Sequence, residues 1–276
     1  MIPAAFAYHR AESVEQAIEL LGEHGDEAKL LAGGHSLLPM MKLRFARPEL
    51  VIDIGGLAGL DYIRADGRQI AIGALTRHVT LETSPLLAEA VPLLRHAASV
   101  VGDCQIRHRG TIGGSVAHGD PAADLPAALM ALRGTVVAEG PAGRRAIPVD
   151  DFYTGFLETA LEPDELVVEL RVPRVDRRRW GFQKFRRRAI DWAIVGVAYQ
   201  EEEEGGGGIG LVSMGPTTLR ATSAEAALRS GAPAGEAARL AGAGADPPAD
   251  NAATPEYRRH LACELLARAL AGQASS

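Results

Sequence analysis

One glycine-rich stretch, residues 107–126, constrains the fold of this chain more than any other segment. Four glycines lie in it before an Asp-Pro pair: Gly110, Gly113, Gly114 and Gly119. Glycine has no Cβ, so the backbone can approach a ligand closely and can adopt positive φ. Consecutive N–H groups presented in this way bind anions. Glycine-rich loops are also common as plain turns, so this stretch alone predicts either an irregular anion-binding loop or an ordinary turn.

A second glycine-rich turn, residues 32–39, follows a short apolar strand predicted over 29–31. It contains Gly33, Gly34 and Ser36, whose hydroxyl can donate to a phosphate oxygen. Two such turns without a Walker lysine suggest one extended phosphate-containing ligand, such as a dinucleotide, held between two subdomains. On this hypothesis a Cβ at Gly33 or Gly114 would fill the space that the pyrophosphate needs. A plain β-turn remains the alternative for 32–39.

The composition of the 276 residues limits the class of protein to one large domain or two of ordinary size. The two cysteines, Cys104 and Cys263, form no C-x-x-C pair, which argues against a disulfide scaffold, a zinc site or an iron–sulfur cluster in this chain. No 18-residue apolar run and no signal-peptide pattern are seen, so we expect no transmembrane segment and a cytoplasmic location. A net charge of −6 gives no reason to expect nucleic-acid binding.

Hydrophobic periodicity and turn signals predict a mixed helix and strand order in the first part of the chain. Ser13 and Gln16 form a capping-box pattern at the start of the first helix. Asp120 and Pro121 suit the N-cap and N1 positions of an apolar helix, which would place Asp124 in its first turn. The predicted helices are 13–21, 76–82, 92–102 and 120–132, and the predicted strands are 29–31, 50–54, 62–64, 69–72, 135–138, 146–149 and 166–172.

A change in composition at residues 173–179 predicts a junction to a second domain. Gly205–Gly210 formally satisfies G-x-G-x-x-G, but four glutamates precede it and a strand follows it, so we interpret it as a solvated hairpin tip. Tyr257, Leu261 and Leu265 share one face of the last predicted helix. The basic run 186–188 is either a solvated strand end or part of a subunit interface. The predicted strands are 180–187, 193–200 and 209–214, and the predicted helices are 222–230, 235–243 and 254–271.

Motifs at 32–39, 107–126, 152–166, 184–193 and 213–221 resemble the FAD-binding medium subunit of the molybdenum hydroxylases, the xanthine dehydrogenase and aerobic carbon monoxide dehydrogenase family. Within that family they are most similar to the carbon monoxide dehydrogenase branch. The resemblance covers nearly the whole chain. It implies an α+β fold: a vanillyl-alcohol-oxidase/PCMH-type FAD-binding domain of two subdomains, followed by a small α+β C-terminal domain. The implied bounds are 1–175, with subdomains of about 1–56 and 57–175, and 176–276.

The resemblance also implies the residues that bind FAD. Asp124 would accept from ribityl or ribose hydroxyls, Lys184 would lie near the flavin, and Leu166 would be an apolar contact. Trp192 would lie against the isoalloxazine, with a core tryptophan at the start of a strand as the alternative. No catalytic residue and no metal ligand are expected. The expected cofactor-binding set is Lys29, Ala32, Gly33, Gly34, His35, Ser36, Leu37, Thr111, Ile112, Gly113, Gly114, Ser115, Ala117, His118, Asp120, Asp124, Leu166, Lys184 and Trp192.

The implied activity is that of an oxidoreductase subunit that transfers electrons. The resemblance places molybdopterin-bound molybdenum on a large partner subunit and two [2Fe–2S] clusters on a small one, in a dimer of heterotrimers. Electrons would pass through FAD to an acceptor such as a quinone or NAD, with carbon monoxide, an N-heterocycle or an aldehyde as substrate. The complex would be cytoplasmic, either free or peripheral at the inner face of the membrane. A stand-alone FAD-dependent oxidoreductase acting directly on a small molecule is the alternative function.

Overall fold

The computed structural model describes residues 2–272, and its first unit is a small parallel sheet in the order β1-β3-β2. Ser13 Oγ accepts from the N–H of Gln16 at 3.1 Å, which confirms the predicted cap of the first helix. The sequence did not predict β1, because its four residues are mostly exposed and show no apolar alternation. The elements are β1 (Ala7–Arg10), α1 (Val14–His24), β2 (Ala28–Leu31), α2 (Leu37–Leu43) and β3 (Leu50–Asp53).

The second unit is a five-stranded antiparallel sheet in the order β4-β5-β10-β6-β7. The hairpin predicted around Asp66 and Gly67 is present, with Gly67 at φ 59° in its turn. A two-stranded ribbon of β8 and β9 lies before the central strand β10. The strands are β4 (Ile63–Asp66), β5 (Gln69–Gly73), β6 (Thr135–Gly140), β7 (Gly143–Pro148), β8 (Tyr153–Gly155), β9 (Glu158–Thr159) and β10 (Leu166–Pro173).

Six short helices connect β5 to β6, and three of them were not predicted. Two of the three, α4 and α6, are helices of six residues capped by Ser84 and Asp103. The third, α7, lies inside the glycine-rich stretch, so the prediction of an irregular segment there is wrong for residues 112–117. The helices are α3 (His78–Thr83), α4 (Pro85–Ala90), α5 (Pro92–Ser99), α6 (Cys104–Arg109), α7 (Ile112–Ala117) and α8 (Asp124–Ala131).

The start of α8 differs from the prediction by one turn. Asp120 does not cap the helix; its Oδ1 accepts from the N–H of Ala122 at 2.8 Å and closes a local turn. The helix begins at Asp124 after Ala123, which has no side-chain cap. Asx turns of this kind compete with N-capping because both use the same short carboxylate. Asp124 nevertheless lies in the first turn, as predicted, and every residue of α8 is buried.

The C-terminal unit is an antiparallel sheet in the order β11-β12-β13-β14, of which the sequence predicted the first three strands. Gly205 and Gly206 adopt positive φ between β12 and β13, so the predicted hairpin tip is correct for these two residues, whereas the rest of the motif, 207–210, is buried within β13. Leu261 and Leu265, on the face predicted for α11, are buried, whereas Tyr257 at the start of that face is 46% exposed and Arg258 is buried. The elements are β11 (Trp180–Phe185), β12 (Val195–Glu201), β13 (Gly207–Val212), β14 (Leu219–Arg220), α9 (Thr222–Arg229), α10 (Ala234–Ala238) and α11 (Pro255–Leu270).

The C-terminal sheet is packed on both faces, and one face is covered by helices of the second unit. A Cβ at Gly208 or Gly210 would overlap the carbonyl oxygens of Ala131 and Ala127, so these glycines let α8 lie directly on β13. The opposite face packs against α9 and α11. One hydrophobic core therefore runs from the five-stranded sheet through α8 into the C-terminal sheet, where Phe182 belongs to it. The predicted domain extents reach Met1 and Ser276, which lie outside the described residues.

Candidate functional site: a cavity between the glycine-rich turns

A cavity of about 580 Å³ lies where all three units meet. Such a volume falls within the usual range of small-molecule and cofactor sites. Four segments contribute much of its wall: the turn after β2, the segment from α6 to the start of α8, the start of β10, and the loop between β11 and β12. The two glycine-rich turns predicted from the sequence are therefore brought together, although 76 residues lie between Gly34 and Thr111 in the chain.

The first turn presents free main-chain donors. Within residues 2–272, the N–H groups of 33–37 donate to no acceptor, and the next amide, that of Leu38, bonds to the Gly34 carbonyl. Gly34 has φ 79°, the left-handed conformation that glycine adopts without strain. All five residues line the cavity. A run of unbonded N–H groups at such a turn is suited to bind an anion, and anion binding by this segment stays a prediction.

The second turn does not present free donors. The N–H groups of residues 112–115 all bond inside the protein. Their acceptors are Thr76 O at 3.0 Å, Ala74 O at 2.8 Å, Thr111 Oγ1 at 3.2 Å and Thr111 O at 3.0 Å. The prediction that both turns offer main-chain amides is therefore wrong for the second. Here the glycines permit close packing, because a Cβ at Gly113 would overlap Ala74.

The two turns touch each other through glycine. A Cβ at Gly33 would overlap the carbonyl oxygen of Arg109 and lie 2.9 Å from the Cα of Gly110. The guanidinium of Arg77 donates to the same Arg109 carbonyl from the other side. Gly33 is thus required for contact between the turns, rather than for space that a phosphate would fill as the sequence suggested. At Gly114 a Cβ would lie 2.8 Å from Thr111 Oγ1, the atom that caps α7.

A buried ion pair closes the floor of the cavity. Lys184 Nζ lies 2.6 Å from Asp124 Oδ2, and their side chains are 3% and 5% exposed. Lys184 also donates to the Val100 carbonyl at 3.0 Å. Phe182, two residues earlier on β11, belongs to the core shared with α8, and the period-two alternation of a strand puts Lys184 on that same face. The pair therefore joins the C-terminal sheet to the start of α8.

Asp124 has one carboxylate oxygen without a partner. Its Oδ1 is buried and accepts no hydrogen bond within the described residues, while Oδ2 is held by Lys184. Burial raises the pKa of Asp124, and the Lys184 charge lowers it in opposition. A buried acceptor without a donor costs stability, so such atoms are commonly completed by a ligand or water. This orphan oxygen beside the cavity fits a hydroxyl donor of a bound molecule.

Most of the predicted cofactor-binding residues line this cavity, and two do not. Ile112 is completely buried in the hydrophobic core, and Asp120 closes the local turn described above. Burial lowers the pKa of His118, which keeps this cavity residue neutral. The residues of the predicted set on the wall are Lys29, Ala32, Gly33, Gly34, His35, Ser36, Leu37, Thr111, Gly113, Gly114, Ser115, Ala117, His118, Asp124, Leu166, Lys184 and Trp192.

Trp192 lies at the rim of the cavity. It is 62% exposed and lies beside Ile190 and Asp191, which also line the wall. β12 begins only at Val195, so the alternative of a core tryptophan at the start of a strand is wrong. A flat, accessible indole in this place could cover an aromatic ring system, which remains a prediction.

Sequence reasoning missed several wall residues. Val101, Gly102 and Ile106 lie around the unpredicted helix α6, and Leu157 and Leu161 lie around the β8–β9 ribbon. These are apolar positions in short irregular segments, where no periodic signal exists. His78 was also missed, since it is a single histidine at the start of a predicted helix. No cluster of His, Cys, Asp or Glu that could hold a metal ion occurs among residues 2–272. No helix in that range is long and apolar enough to span a bilayer.

Comparison with known families assigns the class of the protein. The model of the FAD binding domain in molybdopterin dehydrogenase matches residues 4–175, and the model of the CO dehydrogenase flavoprotein C-terminal domain matches residues 180–272. The chain therefore belongs to the family of FAD-binding subunits of molybdopterin dehydrogenases. It is an oxidoreductase flavoprotein subunit, and the resemblance and the α+β fold expected from the sequence are confirmed.

Individual relatives narrow the class to a medium subunit. The carbon monoxide dehydrogenase medium chain of Hydrogenophaga pseudoflava is 42% identical and covers 98% of this chain and 97% of the relative. The 6-hydroxypseudooxynicotine dehydrogenase complex subunit alpha of Paenarthrobacter nicotinovorans is 39% identical and covers 98% and 95%. A solved structure of a carbon monoxide dehydrogenase from Hydrogenophaga pseudoflava superposes with a TM-score of 0.95 at 44% identity, over 99% and 98% of the two chains. The chain is similar to FAD-binding medium subunits of multi-subunit molybdenum hydroxylases along its whole described length.

Proposed function

We propose that this chain binds FAD in the cavity between the glycine-rich turns and passes electrons from a small iron–sulfur subunit to an external acceptor. The observation that carries the proposal is the pairing, in one cavity, of five free N–H groups at 33–37 with the orphan carboxylate oxygen of Asp124. FAD has a pyrophosphate that needs donors and hydroxyls that need acceptors. When bound, FAD accepts and releases electrons between the two redox partners.

The first turn would bind the pyrophosphate. Its amides are preorganised, because α2 begins immediately after it and fixes the backbone at Leu37. Ser36 adds a hydroxyl donor on the same wall. Neutral dipoles of this kind hold a phosphate without a lysine or arginine, as in other anion-binding nests. The second turn would supply the opposite wall, with the Ser115 hydroxyl as its polar group.

Asp124 and Lys184 would fix the polar end of the cofactor. The free Oδ1 of Asp124 would accept from a ribityl or ribose hydroxyl while Oδ2 stays with Lys184. Because the two charges neutralise each other, the site adds little net charge to the cofactor. The proposed architecture is an FAD-binding domain over 1–175, with subdomains of about 1–56 and 57–175, and a C-terminal domain over 176–276.

The proposed partners follow from the medium-subunit class. A large subunit would hold the molybdopterin and molybdenum and would select the substrate, and a small subunit would hold two [2Fe–2S] clusters. We propose a dimer of such heterotrimers in the cytoplasm, with a quinone or NAD as electron acceptor. The relatives that match this chain are named as dehydrogenases of chemically different molecules. The proposed substrate classes are therefore carbon monoxide, an N-heterocycle and an aldehyde.

The test is purification of the chain alone and with the products of neighbouring genes. We expect the chain alone to bind one FAD and to show a flavin absorption spectrum. The complex, but not the chain alone, should reduce an artificial dye with one of the proposed substrates. A colourless chain that takes up no FAD would refute the binding site. Dye reduction by the chain alone would instead support a stand-alone oxidoreductase.

A further inference from the structure

His78 lies on the wall of the cavity, and neither the sequence motifs nor the family match gives it a role. It is the first residue of α3 and is 4% exposed. Its N–H donates to the Gly110 carbonyl at 3.0 Å, and Arg77 pairs with Thr111 in the adjacent bridge. The main chain around His78 is thus fixed to the second glycine-rich segment on both sides.

The imidazole ring packs against the turn that both glycine-rich segments share. A Cβ at Gly110 would lie 2.6 Å from Cδ2 and 2.7 Å from Nε2 of His78. Gly33 touches the same turn from the other side, at Arg109 and Gly110. The Cδ2–Nε2 edge of the ring therefore faces the turn that Gly33 contacts, and His78 reaches the cavity wall beside that turn. This position is close to where the proposed pyrophosphate and its neighbouring sugar hydroxyls would lie.

The ring carries an unused hydrogen-bonding atom. Nδ1 is buried and has no partner within residues 2–272. Burial, with smaller contributions from the charges of His35, Arg107 and Arg77, lowers the pKa of His78 to about 4. The imidazole is neutral at pH 7 and offers one N–H donor and one acceptor nitrogen. A buried imidazole without its hydrogen bonds weakens the free protein, and this cost is removed if a ligand completes them.

We propose that His78 is a neutral hydrogen-bonding residue for the bound dinucleotide, contacting a phosphate oxygen or sugar hydroxyl next to the first glycine-rich turn. This inference rests on the proposed function, since it names a further residue of the same site. A neutral donor and acceptor at this place would orient the cofactor without adding charge beside its phosphates.

The alternative is that His78 is only a core residue that fills space below Gly110. The two roles predict opposite effects of an apolar replacement. If His78 only packs, its replacement lowers the stability of the FAD-free protein. FAD affinity then falls only to the extent that stability is lost. If His78 binds the cofactor, its replacement removes an unsatisfied buried nitrogen and weakens FAD binding, while the FAD-free protein is as stable as before or more so.

The experiment uses the full chain freed of FAD and two matched pairs of variants. His78→Leu and His78→Asn have nearly the same shape, as do His78→Met and His78→Gln. FAD affinity is measured by quenching of flavin fluorescence, and the melting temperature is measured without FAD. His260→Leu, on the exposed side of α11 away from the cavity, is the control.

We expect the Leu and Met variants to bind FAD about tenfold more weakly, which corresponds to about 1.4 kcal/mol. Their FAD-free melting temperatures should equal or exceed the wild-type value. Either the Asn or the Gln variant should bind within about threefold of wild type, because its amide replaces one ring nitrogen.

Equal FAD affinity within both pairs would overturn the role of His78 and leave the proposed function intact. Apolar variants that are less stable without FAD than the wild type would also overturn it. A wild-type chain that takes up no FAD would instead refute the proposed function, so the two failures are distinguishable.

Discussion

The buried ion pair gives the sharpest test of how the cavity is built. Replacing Lys184 with methionine keeps most of the side-chain volume and removes the charge that neutralises Asp124. Both side chains are at most 5% exposed, so the ammonium group is the main source of charge compensation for Asp124. Breaking a buried pair by removing one partner costs about 3–5 kcal/mol, because the remaining charge is left uncompensated. In a chain of this length, about 2 °C of melting temperature corresponds to 1 kcal/mol, so Lys184→Met should melt about 6–10 °C lower at pH 7.

The loss should depend on pH with a definite sign. Burial already raises the folded-state pKa of Asp124, and Lys184 is the largest influence that lowers it. Without Lys184 this pKa rises further. A raised carboxyl pKa means that stability is greatest below the unfolded-state pKa and falls as the pH rises through the folded-state pKa. The difference between Lys184→Met and wild type should therefore be small near pH 4 and largest at neutral pH.

The assay is urea unfolding of the FAD-free chain, followed by tryptophan fluorescence at a series of pH values. Lys42→Met, an exposed lysine of α2, is the matched control and should change the free energy of unfolding by less than about 0.5 kcal/mol. Adding Asp124→Asn to Lys184→Met should restore most of the loss, since no charge then remains buried. A loss below about 1 kcal/mol, a loss that does not vary with pH, or the absence of rescue would refute the reasoning.

Three further predictions concern backbone packing and the turn before α8. Gly33→Ala should separate the two turns and destabilise the chain by ~1–3 kcal/mol. It should also abolish FAD copurification, measured by absorbance. The control Gly22→Ala, in open space on α1, should raise stability by about 1 kcal/mol. Gly210→Ala should lower the melting temperature markedly by displacing α8 from β13, whereas Gly235→Ala should not; equal melting temperatures would contradict this packing. Asp120→Ala should cost about 1 kcal/mol in urea unfolding and leave the FAD dissociation constant unchanged, and a large loss of affinity would show that Asp120 reaches the cofactor.

The sequence predicted the elements that have a strong local signal. The cap of α1 at Ser13, the Asp66–Gly67 hairpin and the apolar body of α8 all appear as expected. Each depends on residues that are close in the chain, so local chemistry is sufficient. The G-x-G-x-x-G match at 205–210 could also be rejected from its neighbours alone, and the structure places it in the turn after β12 and the first residues of β13.

The elements that were missed depend on contacts that are distant in the chain. β1 is exposed and polar, and it forms only because β3 is available to pair with it. α7 forms within a glycine-rich segment because the main chain of Thr76 and Ala74 accepts its first amides. α8 starts late because Asp120 is used in a local turn. Propensity cannot anticipate such competition between partners.

By itself, the sequence determined which two segments build the site and which family the chain belongs to, because glycines, caps and motifs are local properties. It also placed Asp124 correctly in the first turn of its helix. Only the tertiary structure decided what each segment contributes. The turn after β2 keeps its amides free, whereas the amides of residues 112–115 donate to neighbouring carbonyls and to the Thr111 hydroxyl. The pairing of Asp124 with Lys184 and the burial of His78 likewise exist only in three dimensions, because each arises where separate units pack together and exclude water.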